Sequence, residues 1–282
     1  MKIAWVTDST CYVDHTVKES MEDLYVVPLS VIIAGDEYHD GVDLTSELLY
    51  QKIKETTDIS TSQPSIGSFH ELYKKLAREY DYIFSIHLSS KLSGTYTTAL
   101  QASQLVNDVP ITVLDSKTLS YPLTELLLLG KQHAKSGLDP DEIKTRLLDT
   151  IETSEAYVMV SSLEQLHRSG RMNGISFFLG SMLQIKPILS VEKGSLSVKE
   201  KVRSTKKGFS KMVEYLEKSL TQSSISEVCL LYGRDELEAN ERKKSLSSTF
   251  PNIRFHTCQI GTIIGVHGGE NTLGMAWFRK KY

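Results

Sequence analysis

The chain has 282 residues, 40% of them hydrophobic and 24% charged, with a net charge of -3 and a pI near 6.3. That length is too great for one small core and suits two medium domains, and the balance of charge gives nucleic acid no electrostatic footprint. Cys11, Cys229 and Cys258 are too far apart for a disulfide framework or a C-x-x-C metal knuckle, which fits a reducing cytoplasm, and no apolar run reaches membrane-spanning length.

Lys2 to Thr7 reads as a short buried strand that ends in the polar cluster Asp8-Ser9-Thr10. Ligands of parallel sheets gather at such carboxyl ends. The apolar run Tyr25 to Ala34, broken by Pro28, leads into Gly35 to Asp43; its acidic residues and His39 lack a strict ligand register, and its glycines predict a solvated hairpin or turn. Thr45 or Ser46 caps a helix through Lys54. The polar stretch Ile59 to Ser65 is then expected as a hydroxyl-rich loop before an amphipathic helix, Phe69 to Arg78.

Tyr82 to Leu88 is the next strand, followed by Ser89-Ser90-Lys91-Leu92-Ser93-Gly94-Thr95-Tyr96 and a helix over Thr97 to Val106. A helix start exposes unpaired N–H groups at the positive end of its dipole, and Gly94 lets a ligand approach the backbone. This predicts an anion site, with simple helix capping by Ser93 as the alternative. Ile111 to Leu114 is a further strand, ending in Asp115-Ser116. Strands alternate with helices through this half, which argues a parallel sheet with helices on both faces.

The apolar segment Leu119 to His133 and the helix Asp141 to Ile151 close this part, and the pattern changes near Glu152 to Glu155. Beyond it come strands at Tyr157 to Val160, Pro187 to Val191 and Leu196 to Val202, the last two joined as a hairpin through Lys193-Gly194. The helix Thr205 to Leu220, strand Val228 to Tyr232, helix Glu236 to Phe250 and strands Ile253 to Thr257 and Thr272 to Phe278 complete the chain. The expected fold is therefore α/β with two domains. Residues 1–153 form an N-terminal α/β/α parallel-sheet domain, and residues 154–282 an α+β domain with a mixed or antiparallel sheet.

Three hydroxyl-bearing loops, at Ser9, Thr61 to Ser65 and Ser89 to Thr95, converge if they leave one sheet. His267 stands among Gly261, Gly265, Gly268 and Gly269, which reads as an exposed imidazole. Nucleophilic catalysis by Ser93 with His267 as base is one reading, as a serine hydrolase or acyltransferase, although G-x-S-x-G is absent. Phosphate binding lacks its glycine motifs, and no metal spacing occurs. Binding of a carboxylate or other small anion by neutral donors, Thr61, Ser93, backbone N–H groups and His267, suits the residue types better. The apolar stretch containing Phe177, Phe178 and Met182 is either core or the wall of an apolar tunnel. The basic run Lys193 to Lys207, with Arg168 and Arg171, is a solvated face or a dock for an acidic partner.

Several motifs in this order resemble the DegV family of bacterial fatty-acid-binding proteins. They are Thr7-Asp8-Ser9-Thr10, Thr61-Ser62-Gln63-Pro64-Ser65, Ser90 to Tyr96, Asp115-Ser116, Leu163-Glu164-Gln165-Leu166 with Gly170-Arg171, Lys186-Pro187-Ile188-Leu189, and His267. The resemblance implies a DegV-like fold that holds one long-chain fatty acid between its domains, with Thr61, Ser93, Gly94 and His267 at the carboxylate. Phe177, Phe178, Met182, Ile188 and Ile264 would line the acyl tunnel. It further implies a carrier without cofactor, metal or catalytic activity of its own. Such a carrier presents the carboxylate to a separate ATP-binding fatty acid kinase subunit, with Arg171 and Arg203 at the dock and transient membrane contact for loading. Two segments depart from the family's usual pattern: His267-Gly268-Gly269-Glu270-Asn271, and Leu119 to Leu123 where glycines are usual.

Overall fold

The computed structural model describes residues 1–161, 163–171 and 185–279, all but the side chains at 164 and 168. Its contacts divide the chain into two compact units. One is Met1–Asp149 with Gly261–Ile263; the other is Thr150–Ile260 with the residues from Ile264 onward. The expected single cut after residue 153 has no place for the short return of 261–263 to the first unit.

The first unit contains β1 (Ile3–Asp8), α1 (His15–Ser20), β2 (Leu24–Val27), β3 (Ser30–Ile33), β4 (Asp36–His39), α2 (Ser46–Lys52) and β5 (Ile59–Ser62). It continues with α3 (Ile66–Leu76), β6 (Tyr82–His87), α4 (Thr95–Ser103), β7 (Ile111–Asp115), α5 (Tyr121–Lys135) and α6 (Pro140–Ile151), whose last two residues fall in the second unit. Four strands, in the order β2-β1-β6-β7, pair in parallel. Pro28 cannot donate to a ladder, so the apolar run around it is cut in two. β2 stays in the parallel sheet, while β3 starts an antiparallel sheet of order β4-β3-β5. Ala34 and Gly35, with φ of 50° and 90°, make the β3–β4 turn in the left-handed conformation that a tight hairpin demands.

The stretch Ile59 to Ser62, expected as loop, is a strand. It pairs with β3 through Thr61 opposite Val31, and its alternation is polar because the sheet's outer positions are exposed. Helix α3 accordingly starts at Ile66, three residues before the expected Phe69, under the cap of Ser65, whose side chain accepts from Ser68 N–H.

β1 is buried along its whole length, and its side chains alternate between two helical layers. Ala4, Val6 and Ile83 pack with Phe69, Tyr73 and Leu76 of α3 and Ala99 and Ala102 of α4. On the other face Trp5 stacks on Phe84 at 5.1 Å between ring centroids, against Gly130 of α5. The first unit is thus the expected parallel sheet with helices on both faces.

The second unit contains β8 (Ser154–Met159), α7 (Leu163–Arg168), β9 (Lys186–Glu192), β10 (Ser195–Val202), α8 (Thr205–Leu220), β11 (Glu227–Tyr232), α9 (Glu236–Thr249), β12 (Arg254–Gln259) and β13 (Leu273–Phe278). Helix α10 (Thr262–Gly268) begins in the first unit and ends in the second. The six strands run β10-β9-β8-β13-β11-β12, antiparallel except for β11 with β12, so the sheet is mixed. Met212 and Leu216 of α8 and Leu246 of α9 bury its strands' Met159, Ile188, Val228, Leu230, Met275 and Trp277.

Gly130 supplies a test of how tightly the first unit is packed. A Cβ there would sit 2.5 Å from the rigid ring of Trp5, which is 1% exposed. Alanine's better helix propensity, about 1 kcal/mol, is outweighed by overpacking of about 1–3 kcal/mol. Gly130→Ala should therefore lower the urea midpoint; a raised midpoint would contradict this packing.

Candidate functional site

The carboxyl ends of β1 and β6 meet at Asp8, which is fully buried. One of its oxygens accepts from Thr10 N–H at 3.1 Å and Thr10 O–H at 2.6 Å. The other accepts from Leu88 N–H at 2.9 Å and pairs with His87 Nδ1 at 3.0 Å. On the far side of the imidazole, Nε2 meets Ser85 Oγ at 2.7 Å, and that hydroxyl meets Tyr73 O–H at 2.7 Å. Burial pushes the Tyr73 pKa well up, which keeps it a donor. With Nδ1–H given to Asp8, Nε2 accepts from Ser85, which accepts from Tyr73. Asp8, His87 and Ser85 have the connectivity of a catalytic triad, but all three are 0% exposed. No substrate reaches them, and the chain of bonds serves to fix the strand ends.

The loop after β6 is held from both sides. Ser89 N–H donates to Thr118 O at 2.8 Å, and Ser90 uses N–H and O–H to hold the two oxygens of Asp115 at 3.1 and 2.5 Å. Within the loop Ser93 N–H donates to Ser89 O at 3.1 Å. Ser93 is half-buried; its hydroxyl meets Thr95 Oγ1 at 2.9 Å and accepts from Thr95 N–H at 3.3 Å. Gly94 occupies the cap position of α4, so Ser93 stands one residue outside the helix it introduces.

Thr61 lies in β5 on its half-buried face, and two residues further Gln63 carries that segment to the Ser93 loop. Gln63 Nε2 donates to Thr98 Oγ1 at 3.0 Å, Thr98 O–H donates to Gly94 O at 3.1 Å, and the amide of Gln63 fills the space where a Cβ on Gly94 would lie. The structure thus brings the β5–α3 and β6–α4 loops side by side. Gln63 carried no role in the sequence reading, because a lone glutamine beside a proline has no signature; a glycine needing close approach could have pointed only to some neighbour.

His267 is not the exposed imidazole expected among glycines. It is half-buried in the last turn of α10, where Ser161 N–H donates to Gly268 O at 2.8 Å and Gly269, at φ 84°, packs against Ser161 and Gln165. Burial, aided by the nearby charge of Arg171, lowers its pKa to about 4, so the ring is neutral at physiological pH. Arg171 donates to Ser169 O at 2.6 Å, and Arg203 is exposed between β10 and α8. Ile264 is half-buried in α10, and Ile188 belongs to the core beneath α8. Phe177, Phe178 and Met182 lie outside the described residues. Among the described residues no cluster could hold a metal ion and no helix is long and apolar enough to cross a membrane.

The class these features define is a two-domain α/β protein whose neutral hydroxyl and backbone donors gather at the carboxyl edge of a parallel sheet. The model of the DegV family matches residues 2–280, and the chain belongs to that family. It is 36% identical over 278 residues to a DegV domain-containing protein of Listeria innocua, covering 98% of each chain. Among solved structures it is similar to DegV of Bacillus subtilis, described as a fatty acid binding protein. That likeness has 32% identity and a TM-score of 0.90, over 99% of this chain and 100% of the other. A DegV family protein from Thermus thermophilus described by its fatty acid binding follows at 27% identity and TM-score 0.92, over the same shares.

The junction of the two loops can be tested by a double-mutant cycle. Gly94→Ala should displace the Gln63 side chain and lose its bond to Thr98, costing about 0.5–1.5 kcal/mol. In a Gln63→Ala background the same change should cost clearly less, since the obstructing amide is gone. Equal costs in both backgrounds, read by chemical denaturation, would contradict the junction.

Proposed function

We propose that this chain binds a long-chain fatty acid between its two domains, with the carboxylate held by Thr61, Ser93, the Gly94 backbone and His267. The observation that carries the reading is the junction at Gln63, which brings the loops after β5 and β6 together. The printed fatty acid binding of the Bacillus subtilis and Thermus thermophilus relatives supports the class of ligand.

Neutral donors orient a carboxylate, and a hydrocarbon tail supplies the affinity. About a dozen buried methylenes at about 0.8 kcal/mol each contribute on the order of 10 kcal/mol, against about 1.5–3 kcal/mol for each hydrogen bond to a charged group. On this reading the tail lies against apolar side chains that include Ile264.

The chain acts as a carrier in the cytoplasm and meets membranes transiently to load. It presents the carboxylate to an ATP-binding kinase subunit docked at Arg171 and Arg203. That subunit transfers the terminal phosphoryl group of ATP to a carboxylate oxygen, giving acyl phosphate and ADP. The family resemblance of the motifs supports this role. A Ser93 nucleophile gains no support from its surroundings, since the partners of its hydroxyl are the hydroxyl and N–H of Thr95, neither of which is a base.

Titration of delipidated protein with oleate tests the site. Ser93→Ala and Thr61→Val should each weaken binding by roughly 10- to 150-fold, the equivalent of one charge-assisted hydrogen bond, with the thermal midpoint little changed. Affinities equal to that of the parent would reject these residues as carboxylate holders.

A further inference from the structure

Asp40 was expected in a solvated hairpin or turn; the β3–β4 hairpin forms, yet Asp40 is only 6% exposed. Its backbone N–H donates to Leu29 O at 2.9 Å, and Leu29 N–H donates to Ser9 Oγ at 3.0 Å, so the residue is built into the edge where β1 ends. One carboxylate oxygen accepts from Thr262 O–H at 2.6 Å and from Thr262 N–H at 3.3 Å. Thr262 itself is 2% exposed. These bonds join residues 222 apart in sequence and account for part of the return of Gly261–Ile263 to the first unit.

Thr262 is the first residue of α10, the helix that carries His267 in its last turn. The first N–H groups of a helix lack intrahelical partners, and a carboxylate there both accepts from them and meets the positive end of the dipole. Asp40 is therefore an N-terminal cap supplied from a distant part of the chain. Burial raises its carboxyl pKa, with the Asp8 charge adding to the rise, while the hydroxyls of Thr262 and Ser9 pull it down. A buried carboxylate of this kind is costly to keep, and two of its hydrogen bonds hold the start of one helix through Thr262.

We propose that Asp40 is a positioning residue of the fatty-acid site: it fixes the first turn of α10 and, through that short helix, the setting of His267. The inference rests on the fatty-acid reading for the role of His267, but the anchor itself concerns the empty protein.

The test uses delipidated full-length protein with 13C-labelled histidine, the His267 signal being assigned by its loss in His267→Gln. In the parent, His267 should titrate at about 4. Asp40→Ala should move that titration toward the ordinary histidine value and weaken oleate binding by about 10-fold. Asp40→Asn keeps an acceptor for Thr262 and should preserve most of both. If Asp40→Ala does not fold, Thr262→Val takes its place with the same expectations. A variant that loses thermal stability while the His267 titration and oleate affinity stay at parental values overturns the proposal and leaves Asp40 a purely structural residue. A parent protein that takes up no oleate overturns the fatty-acid reading and the site role together. The His267 titration, read without ligand, separates that failure from a failure of the anchor.

Discussion

The buried carboxylate of Asp8 is the constraint from which the site's geometry follows. A carboxylate removed from water is tolerated only if its lone pairs are met. Here Thr10, His87 and Leu88 meet both oxygens, two of them on or beside β6 and one just past β1. The ends of two adjacent parallel strands are thereby set at one level, and the loops leaving them start from fixed points. The bonds beyond His87, through Ser85 to Tyr73 of α3, tie the same edge to the helical layer behind it.

From that edge the loops are shaped by successive, mostly neutral hydrogen bonds. Ser89 is held by the loop after β7 and Ser90 by Asp115 at the end of β7, and Gln63 fits the β5 segment against Gly94. Loops held in this way need little reorganisation to receive a ligand. On the proposed reading, neutral donors leave the ligand's charge only partly compensated, which suits a carboxylate that must still react in a partner's hands. The neutral state of His267 fits the same logic, since burial and Arg171 both disfavour its charged form.

Much of this was legible in the sequence, and the reasons for the rest are physical. The buried strands β1, β6 and β11 are short apolar runs bounded by polar clusters, and the Lys193-Gly194 turn names its own hairpin, with φ of 49° and 84°. β5 was missed because Ile59-Ser60-Thr61-Ser62 is a polar edge whose only reason to be a strand is the partner β3. Helix α10 was missed because its glycines argue against helix, and it is held at both ends by distant groups, Asp40 and Ser161. The burial of Asp40 had no local signal at all. After β7, Lys117 and Ser120 adopt φ of 52° and 59°, left-handed positions that glycine takes most easily.

A chain that carries a fatty acid should bring the acid with it, and its mass shows whether it does. Native mass spectrometry of the purified protein, followed by denaturing extraction, should give a complex heavier than the chain by one long-chain fatty acid and release that acid in about one equivalent. A bare chain that also stays bare after incubation with oleate would contradict the account.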